Sequence, residues 1–175
     1  YNVAAVLYDG KIYGFVPKTY LPNYNEFYEK RWFSPSSELM DRSVFFAGQE
    51  VPVGTDLIFR TPSMKFGIEI CEDLWTPIPP SSVLSLNGAE VIFNLSASDE
   101  TVGKHVYRRN LVSQQSARCI AGYVYAASGG GESSTDIIFS GSSMIAENGS
   151  ILTEAERFSI ENQLVISEID IERLR

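Results

Sequence analysis

The chain has 175 residues, with 14 Lys and Arg against 22 Asp and Glu, a formal charge of −8 and a pI near 4.7. That length favours one domain, and 44% apolar with 12% aromatic residues is enough to bury a core, which argues against disorder. The acidic balance without a basic block argues against a nucleic-acid or membrane partner; no apolar run approaches the roughly 18–20 residues of a membrane span and no signal peptide is visible, so a cytoplasmic protein is expected.

In chain order, residues 1–7 read as a strand, Asp9-Gly10 as a hairpin turn and residues 11–16 as the returning strand, which Pro17 should end. Residues 18–62 are aromatic, polar and broken by Pro22, Pro35 and Pro52, and read as a long ordered loop with one helical turn near residues 26–31. Residues 65–70 form a short apolar strand running into Cys71. The proline cluster Pro77, Pro79 and Pro80 then opens a helix over residues 81–86 that Asn87-Gly88 closes. A strand over residues 90–95, a helix over residues 102–121 with Val106, Leu111 and Ala117 at helical spacing, and a strand over residues 122–127 follow. The last third reads as hairpins, with strands near residues 137–139, 143–146 and 164–169 and an Asn148-Gly149 turn. This order predicts a layered α/β protein with a mixed sheet.

Cys71 carries the most chemical information. A cysteine at the end of a buried strand, just ahead of a helix, meets unpaired backbone N–H groups that can stabilise a thiolate. A buried structural cysteine is the alternative, but Glu72 and Asp73 are poor company for a thiol that only packs. The one histidine, His105, lies beside Lys104, Arg108 and Arg109 and reads as a solvated surface residue, so no Cys-His dyad is expected. Lys18, leaving a strand at Val16-Pro17-Lys18, is the best candidate to replace it, since an ammonium both favours a thiolate and stabilises an oxyanion. The run Ser128-Gly129-Gly130-Gly131-Glu132-Ser133 superficially resembles a pyrophosphate-binding loop, yet residues 134–139 read as a strand rather than a helix, so a structural turn is expected. Cys119, without any CxxC spacing to Cys71, reads as a core residue, and no metal site is indicated.

With Lys18 and Cys71 in view, the sequence resembles the nitrilase superfamily of carbon–nitrogen hydrolases, and within it the glutaminase domain of glutamine-dependent NAD+ synthetases. The resemblance rests on Val16-Pro17-Lys18-Thr19-Tyr20-Leu21-Pro22, Glu26-Phe27-Tyr28-Glu29-Lys30-Arg31, Gly67-Ile68-Glu69-Ile70-Cys71-Glu72-Asp73-Leu74-Trp75, Asn94-Leu95-Ser96-Ala97-Ser98 and Ala117-Arg118-Cys119 leading to Tyr123-Val124-Tyr125-Ala126. Gly131-Glu132-Ser133 through Asp136 also matches. It implies a nitrilase-like α-β-β-α sandwich with mixed sheets, here lacking its N-terminal part. By the same resemblance Cys71 is the nucleophile, Lys18 the stabiliser of the tetrahedral intermediate together with the Glu72 backbone N–H, and Glu29 a supporting glutamate. The resemblance also implies that Tyr24, Trp75 and Ser98, with Glu72, line a glutamine pocket.

What the resemblance further implies is release of ammonia from L-glutamine through a cysteine thioester, for ATP-dependent amidation of deamido-NAD+. ATP, Mg and deamido-NAD would belong to a synthetase domain of the same polypeptide, with no cofactor in this domain, and a homo-oligomer is expected. The family's general-base glutamate lies upstream of the lysine, whereas residues 1–17 hold only one acid, Asp9. Together with the opening Tyr1, this leads to the expectation that residues 1–175 are a single, N-terminally truncated domain, inactive in isolation. The alternatives are a stand-alone nitrilase-like amidase and a catalytically silent fragment.

Overall fold

The computed structural model describes residues 1–132 and 137–175. The chain forms strands β1 (Val3–Tyr8), β2 (Lys11–Pro17), β3 (Ser43–Phe46), β4 (Gln49–Pro52), β5 (Phe59–Arg60) and β6 (Lys65–Ile70), then helix α1 (Pro80–Leu86) and β7 (Val91–Ser96). Helix α2 (Lys104–Cys119), β8 (Gly122–Ala127), β9 (Met144–Glu147), β10 (Ser150–Glu154) and the short α3 (Ile171–Leu174) complete it.

A six-stranded sheet in the order β10-β9-β8-β7-β6-β5 is the spine. Its central strands β6, β7 and β8 run parallel, with Glu69 level with Asn94 and Asn94 level with Tyr125, while β5, β9 and β10 are antiparallel. Parallel neighbours need a crossover, and α1 and α2 supply the two. Side chains alternate along each strand. One face therefore sends Ile92, Tyr123 and Tyr125 toward the helices, where they pack with Leu84, Val112, Met144 and Ala146. The other face sends Ile68 and Ile70 against Ala4 and Val16 of the β1–β2 hairpin. Helices, sheet and hairpin sheet thus stack as three layers of a mixed α/β sandwich.

The first hairpin turns at Asp9 (φ 48°) and Gly10 (φ 71°), as the Asp-Gly pair predicts. Pro17 is the last residue of β2 rather than its stop, paired with Val3 at the end of the ladder where its missing N–H costs least. Within residues 18–62 the helical turn appears as 3-10 turns at Glu29–Arg31 and Ser36–Glu38, and the loop also holds the unexpected β3–β4 hairpin. That hairpin turns through Ala47 (φ 51°) and Gly48 (φ 78°); alanine in the left-handed region is an unfavourable turn residue, so the sequence carries only half the signal. Gly103 and Ile120, both at positive φ, trim α2 at its two ends.

The buried face of α2 is Arg108, Val112, Gln115 and Ser116; of the three apolar residues at helical spacing, Leu111 packs partly buried against the core while Val106 and Ala117 are exposed. Residues 137–139 form no strand: the Ile138 carbonyl accepts from Glu100 N at 2.8 Å, which ties the segment to the loop after β7 instead of to a ladder. Residues 164–169 likewise form no strand, with Leu164 and Ile166 exposed and Asp170 N held by the Glu147 carboxylate at 2.8 Å. Among the described residues no helix is long and apolar enough to cross a membrane.

Candidate active site

Cys71 begins a 3-10 turn, Cys71–Trp75, at the carboxyl end of β6, and its φ of 48° places a non-glycine residue in the left-handed region. Such a conformation persists only where the surroundings over-determine it. Two side-chain oxygens do so. Ile70 N donates to Asp73 Oδ2 at 2.9 Å, and Cys71 N donates to Asn94 Oδ1 at 3.1 Å. Asn94 is itself held, since its Nδ2 donates to the Tyr123 hydroxyl at 3.1 Å, and that hydroxyl donates to the Glu69 carboxylate. Ser81 N closes the chain on Glu69 Oε2 at 2.8 Å. Burial pushes both the Glu69 carboxyl and the Tyr123 hydroxyl upward from their ordinary values. The helix-facing positions of β6, β7 and β8 thus carry a buried polar stack directly beneath the cysteine.

Lys18 leaves the end of β2 with its side chain 1% exposed, and its Nζ meets Glu29 Oε2 at 2.6 Å. A buried ammonium requires such a partner. Glu29 sits on the 3-10 turn Glu29–Arg31, where Asn2 Nδ2 also approaches its Oε1 at 3.5 Å. Lys18, Glu29 and Cys71 line one open cavity of about 370 Å³ with Phe27, Ser96 and Glu132. The site lies beyond the carboxyl ends of parallel strands, where open α/β sheets place their ligands.

A second cavity of about 250 Å³ adjoins the first through Pro22, Phe27 and Cys71 and is lined by Tyr24, Glu72, Trp75, Ser98 and Lys104. The Tyr24 hydroxyl donates to the Glu72 carboxylate at 2.9 and 3.0 Å. Burial, then the Glu72 carboxylate, push the Tyr24 hydroxyl up, and burial raises Glu72. Lys104 Nζ pairs with Asp99 and stands 5.3 Å from the Trp75 ring centre and 5.7 Å from that of Phe27. Behind this wall the buried Arg108 donates to the Asp99 carbonyl and to Glu100 Oε2, each at 2.8 Å, and reaches Ser98 Oγ at 3.4 Å. Burial tends to raise Glu100, yet the bonds from Arg108 and Ser140 prevail and hold its carboxyl below the usual range.

The residues expected from sequence therefore fall into two adjoining groups: Cys71, Lys18 and Glu29 in one cavity, Tyr24, Glu72, Trp75 and Ser98 with Cys71 in the other. Sequence reasoning missed Asn94, Tyr123, Asp73, Arg108 and Lys104. Lys104 had a usable signal, because a cation opening a helix opposes the helix dipole and so needs a reason to be there. His105 is not a freely solvated side chain: its Nδ1 lies 3.2 Å from Ser142 Oγ and its Nε2 3.9 Å from Glu154, and burial lowers its pKa. It lines neither cavity.

Cys119 is half-buried rather than core, donating to the Ser81 carbonyl at 3.7 Å, with its pKa raised by burial. The glycine run continues β8 into a loop where Gly141 N donates to the Ser128 carbonyl at 2.9 Å. Ser133 through Asp136, with the expected start of a strand there, lie outside the described residues. Among the described residues no cluster of His, Cys, Asp and Glu is placed to hold a metal ion.

Residues 1–175 match the family model for carbon–nitrogen hydrolases. The glutamine-dependent NAD(+) synthetase of Mycobacterium tuberculosis H37Rv is 45% identical over 178 residues, which cover 100% of this chain and 26% of that protein. Among solved structures, a glutamine-dependent NAD(+) synthetase from Cytophaga hutchinsonii superposes with a TM-score of 0.81 at 30% identity, over 93% of this chain and 26% of that one. A carbon–nitrogen hydrolase from Helicobacter pylori G27 shares the fold, with a TM-score of 0.78 at 23% identity over 99% of this chain and 58% of that one. The chain thus spans about a quarter of the length of the curated relatives it matches.

Proposed function

Because the chain belongs to the carbon–nitrogen hydrolase family, we propose that it is the glutamine-hydrolysing part of an NAD+ synthetase, with Cys71 as its nucleophile. The observation that carries this reading is a buried lysine, ion-paired with Glu29 at 2.6 Å, opening on the same cavity as a cysteine held at positive φ. The synthetase assignment rests on the relatives' names and on the length of chain that matches them.

In this reading the side-chain amide of L-glutamine enters the larger cavity and the Cys71 sulfur attacks its carbon. The negative charge that forms on the amide oxygen is met by Lys18 Nζ and the Glu72 backbone N–H. Since Asn94 and Asp73 already take the amides of Cys71 and Ile70, the Glu72 amide is the next one along the turn for that task. Collapse of the intermediate breaks the carbon–nitrogen bond. The proton lost by the thiol leaves with the nitrogen as ammonia, and water then cleaves the glutamyl thioester to glutamate. Glu29 orients Lys18 rather than activating the thiol, consistent with its short ion pair.

The adjoining pocket suits the charged end of an amino acid. The Glu72 carboxylate, steadied by Tyr24, faces an α-ammonium, while Lys104, spread over the Trp75 and Phe27 rings, and the Ser98 hydroxyl face an α-carboxylate. The ammonia would pass to ATP-dependent amidation of deamido-NAD+ in the synthetase part of the polypeptide, where ATP and Mg act. A cytoplasmic homo-oligomer belongs to the same proposal. In the full polypeptide, Cys71→Ala should abolish glutamine-dependent NAD+ formation and leave ammonia-dependent formation intact; equal loss of both refutes the assignment.

A further inference from the structure

Lys18 and Cys71 stand at the ends of strands in different sheets, and apolar packing alone would leave their relative position free to slide. One buried side chain bonds to the backbone beside both. Asp73 Oδ1 accepts from Tyr20 N at 2.8 Å and Thr19 N at 3.1 Å, the two amides that follow Lys18. Asp73 Oδ2 accepts from Ile70 N at 2.9 Å, the amide that precedes Cys71, and lies 3.4 Å from Thr19 N.

We propose that Asp73 is a positioning residue that sets the Lys18 ammonium against the Cys71 thiol. The inference rests on the assignment of Lys18 and Cys71 as the reacting pair.

A residue that merely capped its own 3-10 turn would need only the Ile70 amide. Asp73 instead reaches across to the segment that leaves β2, and among the described residues no lysine, arginine or histidine bonds to it. Converging N–H groups on both sides require an acceptor on both sides, which an ionised carboxylate provides and an amide does not. The arrangement is held at a cost, for Asp73 is 1% exposed and burial pushes its carboxyl up to about 7. The remaining bonds of the Lys18 backbone run elsewhere, from Lys18 N to the Asn2 carbonyl at 2.8 Å and from Ser36 N to the Lys18 carbonyl at 3.2 Å. Among the described residues, Tyr24 to Glu72 is the other side-chain hydrogen bond between the two segments, and it lies at the exposed rim.

The test compares Asp73→Asn with the unsubstituted full polypeptide. An asparagine turns its NH2 toward one of the two arms and severs it. Glutamine hydrolysis gives kcat and KM, and iodoacetamide labelling of the Cys71 peptide, read by mass spectrometry against the Cys119 peptide, gives thiol reactivity without any substrate. The expected result is a kcat lower by about tenfold or more with KM within about threefold, and Cys71 labelling slowed by about threefold or more in folded protein. Asp73→Glu, which keeps the charge but moves the oxygens out by one methylene, should shift both readouts in the same direction and serves if Asp73→Asn does not fold. The proposal is overturned if kcat and labelling stay within about twofold in a folded variant. It is equally overturned if kcat falls only with the folded fraction while labelling of folded molecules is unchanged, or if neither variant folds. Should the unsubstituted protein fail to hydrolyse glutamine, the functional reading fails while the labelling ratio still decides the role of Asp73.

Discussion

Replacing Tyr123 by phenylalanine removes one oxygen and leaves the ring, which is 0% exposed, in place among Leu84, Ile92 and Val112. Two bonds vanish: the one donated to the Glu69 carboxylate and the one accepted from Asn94 Nδ2. A bond to a charged group is worth about 1.5–3 kcal/mol and an orphaned buried donor costs about 1–3 kcal/mol; since Glu69 retains Ser81 N, a loss of about 3 kcal/mol is expected. The loss should depend on pH. Burial holds the folded pKa of Glu69 above its unfolded value of 4.5, so between the two the folded state binds more protons and stability falls as pH rises. The Tyr123 hydroxyl pulls that pKa down; its removal raises it further, and the loss is therefore larger at pH 8 than at pH 5. Urea unfolding at the two pH values measures both effects. A loss below about 1 kcal/mol, equal at the two pH values, would refute the view that this hydroxyl supports a buried carboxylate.

Arg108→Ala leaves the buried Glu100 carboxylate without its nearest cation and should cost about 3–5 kcal/mol in thermal unfolding, with Arg157, 3.6 Å away, compensating only in part. Gly67→Ala places a Cβ 2.8 Å from Leu84 Cδ1 and should destabilise by about 1–3 kcal/mol; adding Leu84→Ala relieves the clash, so the double variant should lose less than the two single losses together. Asp73, raised from 3.8 to about 7 by burial, binds its proton more tightly when folded and so weakens the fold by about 4 kcal/mol as pH rises from about 4 to above 7. Asp73→Asn should flatten that decline, and an unchanged slope between pH 5 and pH 8 in urea titrations would contradict the burial argument.

Most of the framework is legible where local chemistry and tertiary structure agree. Asp9-Gly10 and Asn148-Gly149 turn hairpins because these pairs tolerate positive φ, and Pro80 opens α1 where a missing N–H costs nothing. The β3–β4 hairpin is hidden because Ala47 gives no turn signal, and α2 is found as a helix but its inner face is poorly marked, because Arg108, Gln115 and Ser116 build most of it beside Val112. Cys71, Lys18 and Glu29 are visible through residue type and motif. Asp73, Asn94 and Tyr123 stand in the same motifs, but what they do is not visible there, because each acts through partners on distant segments, as Asp73 does in accepting from Tyr20 N.

The stack of Glu69, Tyr123 and Asn94 has a consequence for adaptation. Replacing all three together by apolar residues would pack these helix-facing positions against Leu84 and Ile92 without a desolvation penalty, although losing any one alone is costly, so selection for thermal stability alone should favour the concerted replacement. That replacement would release the turn that presents Cys71. Variants recovered from a heat-challenge screen should therefore split into two populations, those altered elsewhere that keep the thiol reactive and those altered here that trade it away, and their ratio would measure how much robustness this protein gives up to keep its nucleophile in place.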